Sequence, residues 1–216
     1  MIEVKICGLT DSAALAAAVR GGARWLGFVF YPPSPRALSA ERAAALAAQA
    51  PAGCKTVGVL VDPDDVLLDE VLSQVRLDAL QLHGGSPARV AAIKAATGRL
   101  VIRALSVAEP QDLAPVPDYA AVADMLLFDA KPPPVPGMLP GGNGLSFDWR
   151  LLQGLAVARP WLLSGGLSAA NLEAAVRLCG ARAVDVSSGV EDRPGHKDPA
   201  KIRDFLALAA GLGVPA

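Results

Sequence analysis

The chain has 216 residues and a formal net charge of −1 with no basic run, which argues against a nucleic-acid partner. Apolar residues make up 52% and charged residues 19%, which excludes a disordered chain and provides enough apolar mass for one large core. No uninterrupted apolar run reaches the length of a membrane span, the N-terminus lacks a signal-peptide pattern, and the three cysteines are scattered. No membrane partner, no disulfide framework and a cytoplasmic location are therefore expected.

In chain order, Ile2, Val4 and Ile6 alternate with Glu3, Lys5 and Cys7, the period-two signature of a strand that Gly8 ends. Asp11 is placed to cap an Ala-rich helix over residues 12–20, stopped by Gly21-Gly22. Residues 25–30 form a continuous apolar run, as expected of a strand buried on both faces. The three prolines within 31–36 dictate a loop, and Ser39 caps a helix to about Gln49. Residues 56–61 read as a strand, Asp64 or Asp65 opens a helix to about Val75, and 78–82 is the fourth strand. Ser86-Pro87, an N-cap followed by a first-turn proline, starts the next helix. Residues 99–103 are a strand, Glu109 to about Val122 a proline-interrupted helix, and 125–129 a clear strand. The Pro/Gly-rich loop of 130–146 is too long to be mere connection. A short helix at 147–155, a strand at 160–164, a helix at 168–178 and a last strand at 183–186 follow. Pro199 then starts a final helix that ends near Gly211.

Eight strands alternating with about eight helices, with no break in the repeat, predict an α/β single-domain (β/α)8 TIM barrel over residues 1–216. A doubly wound sheet would have fewer strands and a phosphate loop after the first. In a barrel the strand ends converge on one mouth. Cys7 ends the first strand and Asp129 the sixth, and a carboxylic acid closing an apolar run needs a partner or a task. Leu163-Ser164-Gly165-Gly166-Leu167 closes strand seven and Asp185-Val186-Ser187-Ser188-Gly189-Val190-Glu191 closes strand eight, where barrel enzymes commonly hold a phosphate. A short helix starting at Ser187 or Ser188 would present free N–H groups there. Gly141-Gly142-Asn143-Gly144, following the long loop, reads as a mobile cover. Arg36 and Arg103 are candidate anion clamps, and His83, ending strand four, is either a pocket residue or a structural one. His196 reads as solvated, Cys54 and Cys179 as core or helix-end fillers, and Trp25, Trp149 and Trp161 as packing residues. Two separated histidines and no paired cysteines predict no metal site.

Taken together, KICGLT at 5–10, GFVFYPPSPR at 27–36, LQLHG at 80–84, LLFDAK at 126–131, GGNGLSFDW at 141–149, LSGGLSAANL at 163–172 and VDVSSGVE at 184–191 resemble the phosphoribosylanthranilate isomerase family. They span nearly the whole chain, in order, at the strand ends. The resemblance implies an aldose–ketose isomerase of tryptophan biosynthesis. It would convert N-(5'-phosphoribosyl)anthranilate, without cofactor or metal, to 1-(2-carboxyphenylamino)-1-deoxyribulose 5-phosphate by an Amadori rearrangement. It further implies Asp129 as the general acid that opens the ribose ring and Cys7 as the general base at C2. Arg36 would bind the anthranilate carboxylate, with Asp185 and His83 toward the substrate. Gly144, Gly165, Gly166, Ser188 and Gly189 would hold the phosphate. The partner is then a small phosphosugar, the assembly a monomer or homodimer.

The residue types suit that chemistry. A thiolate can remove a proton from carbon beside an iminium, and a carboxylic acid keeps its proton near neutrality only in an apolar pocket. Lys5, on the same strand face as Cys7, is a candidate for lowering the thiol pKa. The chain departs from the family in having GGNG where GGTG is usual, in the proline run of 132–136, and in Gly85 where an acidic residue is frequent. Two alternatives remain from the residues alone. One is another phosphosugar barrel, although a ribulose-phosphate epimerase would need histidine metal ligands. The dual-substrate isomerase of the histidine pathway would carry a carboxylate where Cys7 stands. The other is a catalytically inactive phosphosugar-binding barrel, against which the presence of both Cys7 and Asp129 argues.

Overall fold

The computed structural model describes residues 1–135 and 138–213; Pro136, the last proline of the run before the cover loop, lies outside the described residues, as do 214–216. Eight strands are laid down in sequence order, β1 (Glu3–Cys7), β2 (Trp25–Val29), β3 (Lys55–Val61), β4 (Ala79–His83), β5 (Leu100–Val107), β6 (Met125–Ala130), β7 (Trp161–Leu163) and β8 (Ala183–Val186). Each pairs in parallel with the next, and β8 returns to β1, which closes the barrel. The helices α1 (Ser12–Arg20), α2 (Ala40–Ala47), α3 (Asp65–Gln74), α4 (Pro87–Thr97), α5 (Val116–Val122), α6 (Leu172–Cys179) and α7 (Pro199–Gly211) follow the strands. A single 3-10 turn at Trp149–Leu152 takes the helix position after β6. No helix among the described residues is long and apolar enough to cross a membrane.

The capping residues set the helix starts as their chemistry requires. Asp11, Ser39, Asp64, Ser86 and Asp198 each accept a hydrogen bond from a first-turn backbone N–H, satisfying donors that the helix itself leaves unpaired. Alternation along the strands then divides the barrel into two environments. Outward residues such as Leu26, Phe28, Leu80, Leu126, Phe128 and Val184 form one continuous core with the helices. Inward residues Trp25, Val57, Ala79, Ile102, Ala104, Leu127, Leu162 and Ala183 form an apolar floor inside the barrel. Above that floor, toward the C-terminal ends, the inward positions turn polar: Lys5, Gln81 and Asp185, then Cys7, His83 and Asp129.

Four elements differ from the sequence expectation. Helix α6 starts at Leu172, four residues after Ser168, because residues 169–171 form a turn. Strand β5 runs to Val107, four residues past Arg103, because Ala104, Leu105 and Val107 continue the apolar alternation. The helix expected over 109–122 splits into a 3-10 turn, Pro110–Leu113, and α5, since Pro115 and Pro117 lack the N–H groups a continuous helix would use. The helix expected over 147–155 is only the Trp149–Leu152 turn, ended ahead of Gly154, whose φ of 70° is left-handed. One element went unforeseen: β9 (Glu191–Arg193) and β10 (His196–Lys197) pair as an antiparallel hairpin between β8 and α7.

Phe128 is fully buried on the outer face of β6, edge-on to Trp161 with ring centroids 5.5 Å apart. Phe128→Ala should therefore cost about 3–5 kcal/mol of unfolding free energy, read as a lowered urea midpoint at unchanged slope.

Candidate active site

A cleft of about 770 Å3, open to solvent, occupies the C-terminal mouth of the barrel. Cys7, Arg36, His83, Asp129, Gly144, Gly165, Gly166, Asp185 and Ser188 all line it, so residues up to 181 positions apart in the chain meet at one place. Gly189 does not line the cleft. Its Cα is packed against the Leu167 carbonyl, which a Cβ would overlap.

The electrostatic centre is a fully buried ion pair. Lys5 Nζ donates to Asp185 Oδ1 at 2.9 Å, and Asp185 Oδ2 also accepts from the Ser164 hydroxyl at 3.1 Å. Burial disfavours the Lys5 ammonium, but Asp185 and Cys7 outweigh it and hold the pKa above its ordinary value. A Cβ at Gly27 would stand 3.1 Å from Lys5 Nζ and 3.3 Å from Cys7 Sγ, so ammonium and thiol sit side by side where only glycine leaves room. Lys5 does act to lower the thiol pKa, yet burial is the larger effect and Asp185 adds to it, so the Cys7 thiol is pushed up. Lys5 thus acts in the expected direction, and the net rise of the thiol comes from burial, which outweighs it.

Asp129 ends β6 facing the same cleft. Burial, reinforced by the Asp185 charge, pushes its carboxyl from the usual 3.8 to about 7, against the Ala130 N–H, Ser164 and Lys5, which lower it. The Ala130 N–H donates to Oδ1 at 2.9 Å. His83, two residues beyond Gln81 on β4, is pushed down to about 4 by burial and by the charges of Lys5 and Arg103, so its ring is neutral at neutral pH. His83 Nε2 and Gln81 Nε2 are 3.0 Å apart, and the buried Gln81 Oε1 finds no hydrogen-bond partner among the described residues.

Across the mouth, Arg36 is buried and doubly bonded to Glu191, Nε to Oε1 at 2.7 Å and Nη2 to Oε2 at 2.8 Å, with Nη2 also donating to the Gly142 carbonyl. Lys197, on β10, donates to Glu191 Oε1, the oxygen that Arg36 Nε also bonds. Burial works against the Glu191 carboxylate, but Arg36 and Lys197 lower its pKa overall; for Lys197, burial prevails over Glu191 and lowers the pKa. The cover loop rests on both halves of the site. A Cβ at Gly141 would stand 2.6 Å from Asp129 Oδ2 and 3.2 Å from the His83 ring. One at Gly142, whose φ of 74° is left-handed, would stand 2.7 Å from Arg36 Nη1. On the β7–β8 side, Gly165 and Gly166 have φ of 85° and 64°, and Ser188 opens a 3-10 turn, Ser188–Val190. The N–H groups of Gly144, Gly166 and Ser188 donate to no acceptor among the described residues.

Arg103 stands elsewhere. It lies mid-strand on the outer face of β5, donates to the Leu82 and Ala104 carbonyls and stacks 4.4 Å over the Tyr119 ring, so it is no anion clamp at the mouth. Gln81, Ser164, Glu191 and Lys197 belong to the site or its support; Ser164 and Glu191 lay within the strand-end segments read from sequence but were given no role, and Gln81 and Lys197 were not singled out. For Gln81 a signal existed, a polar residue alternating with Leu80 and Leu82 inside a buried strand. Among the described residues no group of three or more His, Cys, Asp and Glu side chains could hold a metal ion.

Asp129 titrates near 3.8 when unfolded and near 7 in the fold, so its contribution to stability is fully present below about pH 3.8 and is lost as pH rises through about 7. An asparagine there does not titrate. Between about pH 4 and pH 7.5 the stability of Asp129→Asn relative to the parent should rise by about 2–4 kcal/mol, measured by urea unfolding at each pH. A difference that stays flat with pH overturns the buried-acid assignment.

The chain matches the family model described as N-(5'phosphoribosyl)anthranilate (PRA) isomerase over residues 4–207. It is similar to the N-(5'-phosphoribosyl)anthranilate isomerase of Paracoccus denitrificans, 59% identical over 209 residues, which cover 96% of this chain and 97% of that one. The solved structure of the isomerase from Thermotoga maritima is 38% identical with a TM-score of 0.85, covering 98% of this chain and all of that one. A structure of such an isomerase in complex with reduced 1-(o-carboxyphenylamino)-1-deoxyribulose 5-phosphate is 36% identical, with a TM-score of 0.82 over 98% of this chain and 100% of that one. Closed barrel, mouth residues and similarity over nearly the full length agree: the chain belongs to the phosphoribosylanthranilate isomerase family.

Proposed function

We propose that this chain isomerises N-(5'-phosphoribosyl)anthranilate to 1-(2-carboxyphenylamino)-1-deoxyribulose 5-phosphate in tryptophan biosynthesis. The observation that carries this reading is the pairing of Asp129, a carboxylic acid held near pKa 7, with the buried thiol of Cys7 in one cleft. That cleft runs from an arginine clamp to a rim of glycines with free N–H groups.

Asp129, whose pKa raised to about 7 lets it keep a proton near neutrality, gives that proton to the ribose ring oxygen. The ring C–O bond breaks and the anthranilate nitrogen lone pair forms an iminium at C1. Its positive charge acidifies the proton on C2 and, developing beside the Cys7 sulfur, favours the thiolate that burial alone disfavours; the thiol releases its proton to solvent in the open cleft, from which the Asp129 carboxylate is reprotonated. The thiolate takes the C2 proton, and the electron pair moves through C1 to nitrogen, giving an enolamine. The enolamine then tautomerises: the C2 hydroxyl gives its proton to water in the open cleft, water gives one to C1, and the ketone forms with no net change in protons. Electron pairs move within one substrate, so the sequence involves no external oxidant or reductant.

Arg36 would pair with the anthranilate carboxylate through Nη1, which makes no hydrogen bond to the described residues. The phosphate would lie against the N–H groups of Gly144, Gly165, Gly166 and Ser188. Gly189 sits behind them, letting the 3-10 turn press onto Leu167. Neutral His83 and the Lys5-bound Asp185 would face the sugar hydroxyls.

The purified protein should extinguish the fluorescence of N-(5'-phosphoribosyl)anthranilate with multiple turnovers. Cys7→Ser and Asp129→Asn should each lower kcat by about 10²–10⁴. Absence of turnover by the parent refutes the reading; a near-parental rate in either variant removes that residue from the mechanism.

A further inference from the structure

We propose that Lys197 is a positioning residue that supplies the net positive charge with which Arg36 meets the substrate carboxylate. The inference rests on the isomerase reading above and extends it to a residue outside the cleft.

Arg36 by itself is a poor anion receptor, because Glu191 engages its guanidinium through two hydrogen bonds, at 2.7 and 2.8 Å. A clamp neutralised by a carboxylate has little field left for a second one. Lys197 changes that balance. Its side chain is fully buried and donates to the Glu191 carboxylate that Arg36 holds. Two buried cations therefore share one carboxylate, leaving one positive charge with no further acidic partner among the described residues. Leaving charge uncompensated out of water is costly, and a ligand carboxylate at Arg36 would complete an alternating set of two cations and two anions. Nη1 of Arg36, bordered by the cover-loop Gly142, is the donor left to receive it.

The hairpin holds this lysine in place. Gly195, between β9 and β10, has a left-handed φ of 84° and packs against the Pro35 carbonyl, where a Cβ would collide. Lys197 also donates to the carbonyl and hydroxyl oxygens of Ser187, each at 3.2 Å, and the Ser187 hydroxyl donates to the Cys7 carbonyl at 3.1 Å. The clamp on the β2 loop is thereby tied to the strand that carries the thiol.

The test compares two ligands, reduced 1-(2-carboxyphenylamino)-1-deoxyribulose 5-phosphate and the same compound without the ring carboxylate, by calorimetry on the full chain. Lys197→Met should weaken the carboxylate compound about tenfold or more while the carboxylate-free one binds within about twofold of the parent. In turnover the loss should fall on KM more than on kcat. Glu191→Gln combined with Lys197→Met again leaves Arg36 with one net positive charge, and should recover most of the lost carboxylate affinity. Equal weakening of both ligands, or no recovery in the double variant, makes Lys197 a purely structural residue and overturns the proposal. Should Lys197→Met not fold, Lys197→Gln, which keeps a donor without the charge, is read by the same criteria. Failure of the parent to bind either ligand overturns the isomerase reading itself, whereas binding of both with equal affinity overturns only the Arg36 clamp and the role of Lys197 with it.

Discussion

The site depends on one buried contact, the ion pair between Lys5 on β1 and Asp185 on β8. The two residues are register partners across the seam where the last strand meets the first, so the pair stands where the barrel closes. Desolvating two ions leaves such a pair with little net contribution to stability. Its consequence is the field it sets up at the buried base of the cleft. Asp185 raises Asp129, Lys5 opposes the rise of Cys7, and Lys5 lowers His83. Burial is the largest effect at both reactive groups: the acid keeps its proton to about 7, and the thiol is held as a thiol until a cation forms on the substrate.

The same cleft treats its other charges differently. Around Arg36 the protein assembles two cations and one carboxylate, leaving an attraction for an anion, whereas around Asp129 it removes water and raises the carboxyl's pKa to about 7. Separating these environments within one mouth needs two supports. The apolar floor of Trp25, Val57, Ile102, Leu127 and Leu162 keeps water from below, and the cover loop lies across the top with Gly141 against Asp129 and Gly142 against Arg36. Any side chain at those two glycines would occupy the space of the groups they cover, which explains glycine there whatever the third residue of the loop is. The family's usual threonine stands as Asn143 here, and it donates to the Leu139 carbonyl within the same loop.

Much of this was legible without coordinates. Apolar alternation and capping residues specify strands and helices through local contacts, so β1, α1, β3, α3, α4, β8 and the start of α7 stand within a residue or two of where their patterns put them. The repeat of such units implies a closed parallel barrel, and a barrel implies a common mouth, which is how Cys7, Asp129, Arg36, His83 and Asp185 could be grouped from positions far apart in the chain. The misreadings fell where local pattern is weak: Arg103, whose strand continued beyond it, the proline-broken 109–122 segment, and the hairpin of β9 and β10, too short and polar to announce itself.

By itself, then, the amino-acid order determined the fold class, the strand ends that carry chemistry and the reactive residue types, since each follows from period, caps and turn residues within a few positions. Only the tertiary structure decided how those residues behave. The pKa of Asp129, the direction in which Cys7 is shifted and the sharing of Glu191 between Arg36 and Lys197 are sums over neighbours up to 180 positions distant, packed where water cannot screen them. Burial and Coulomb interactions depend on distance through space, and no local pattern in the chain encodes that distance.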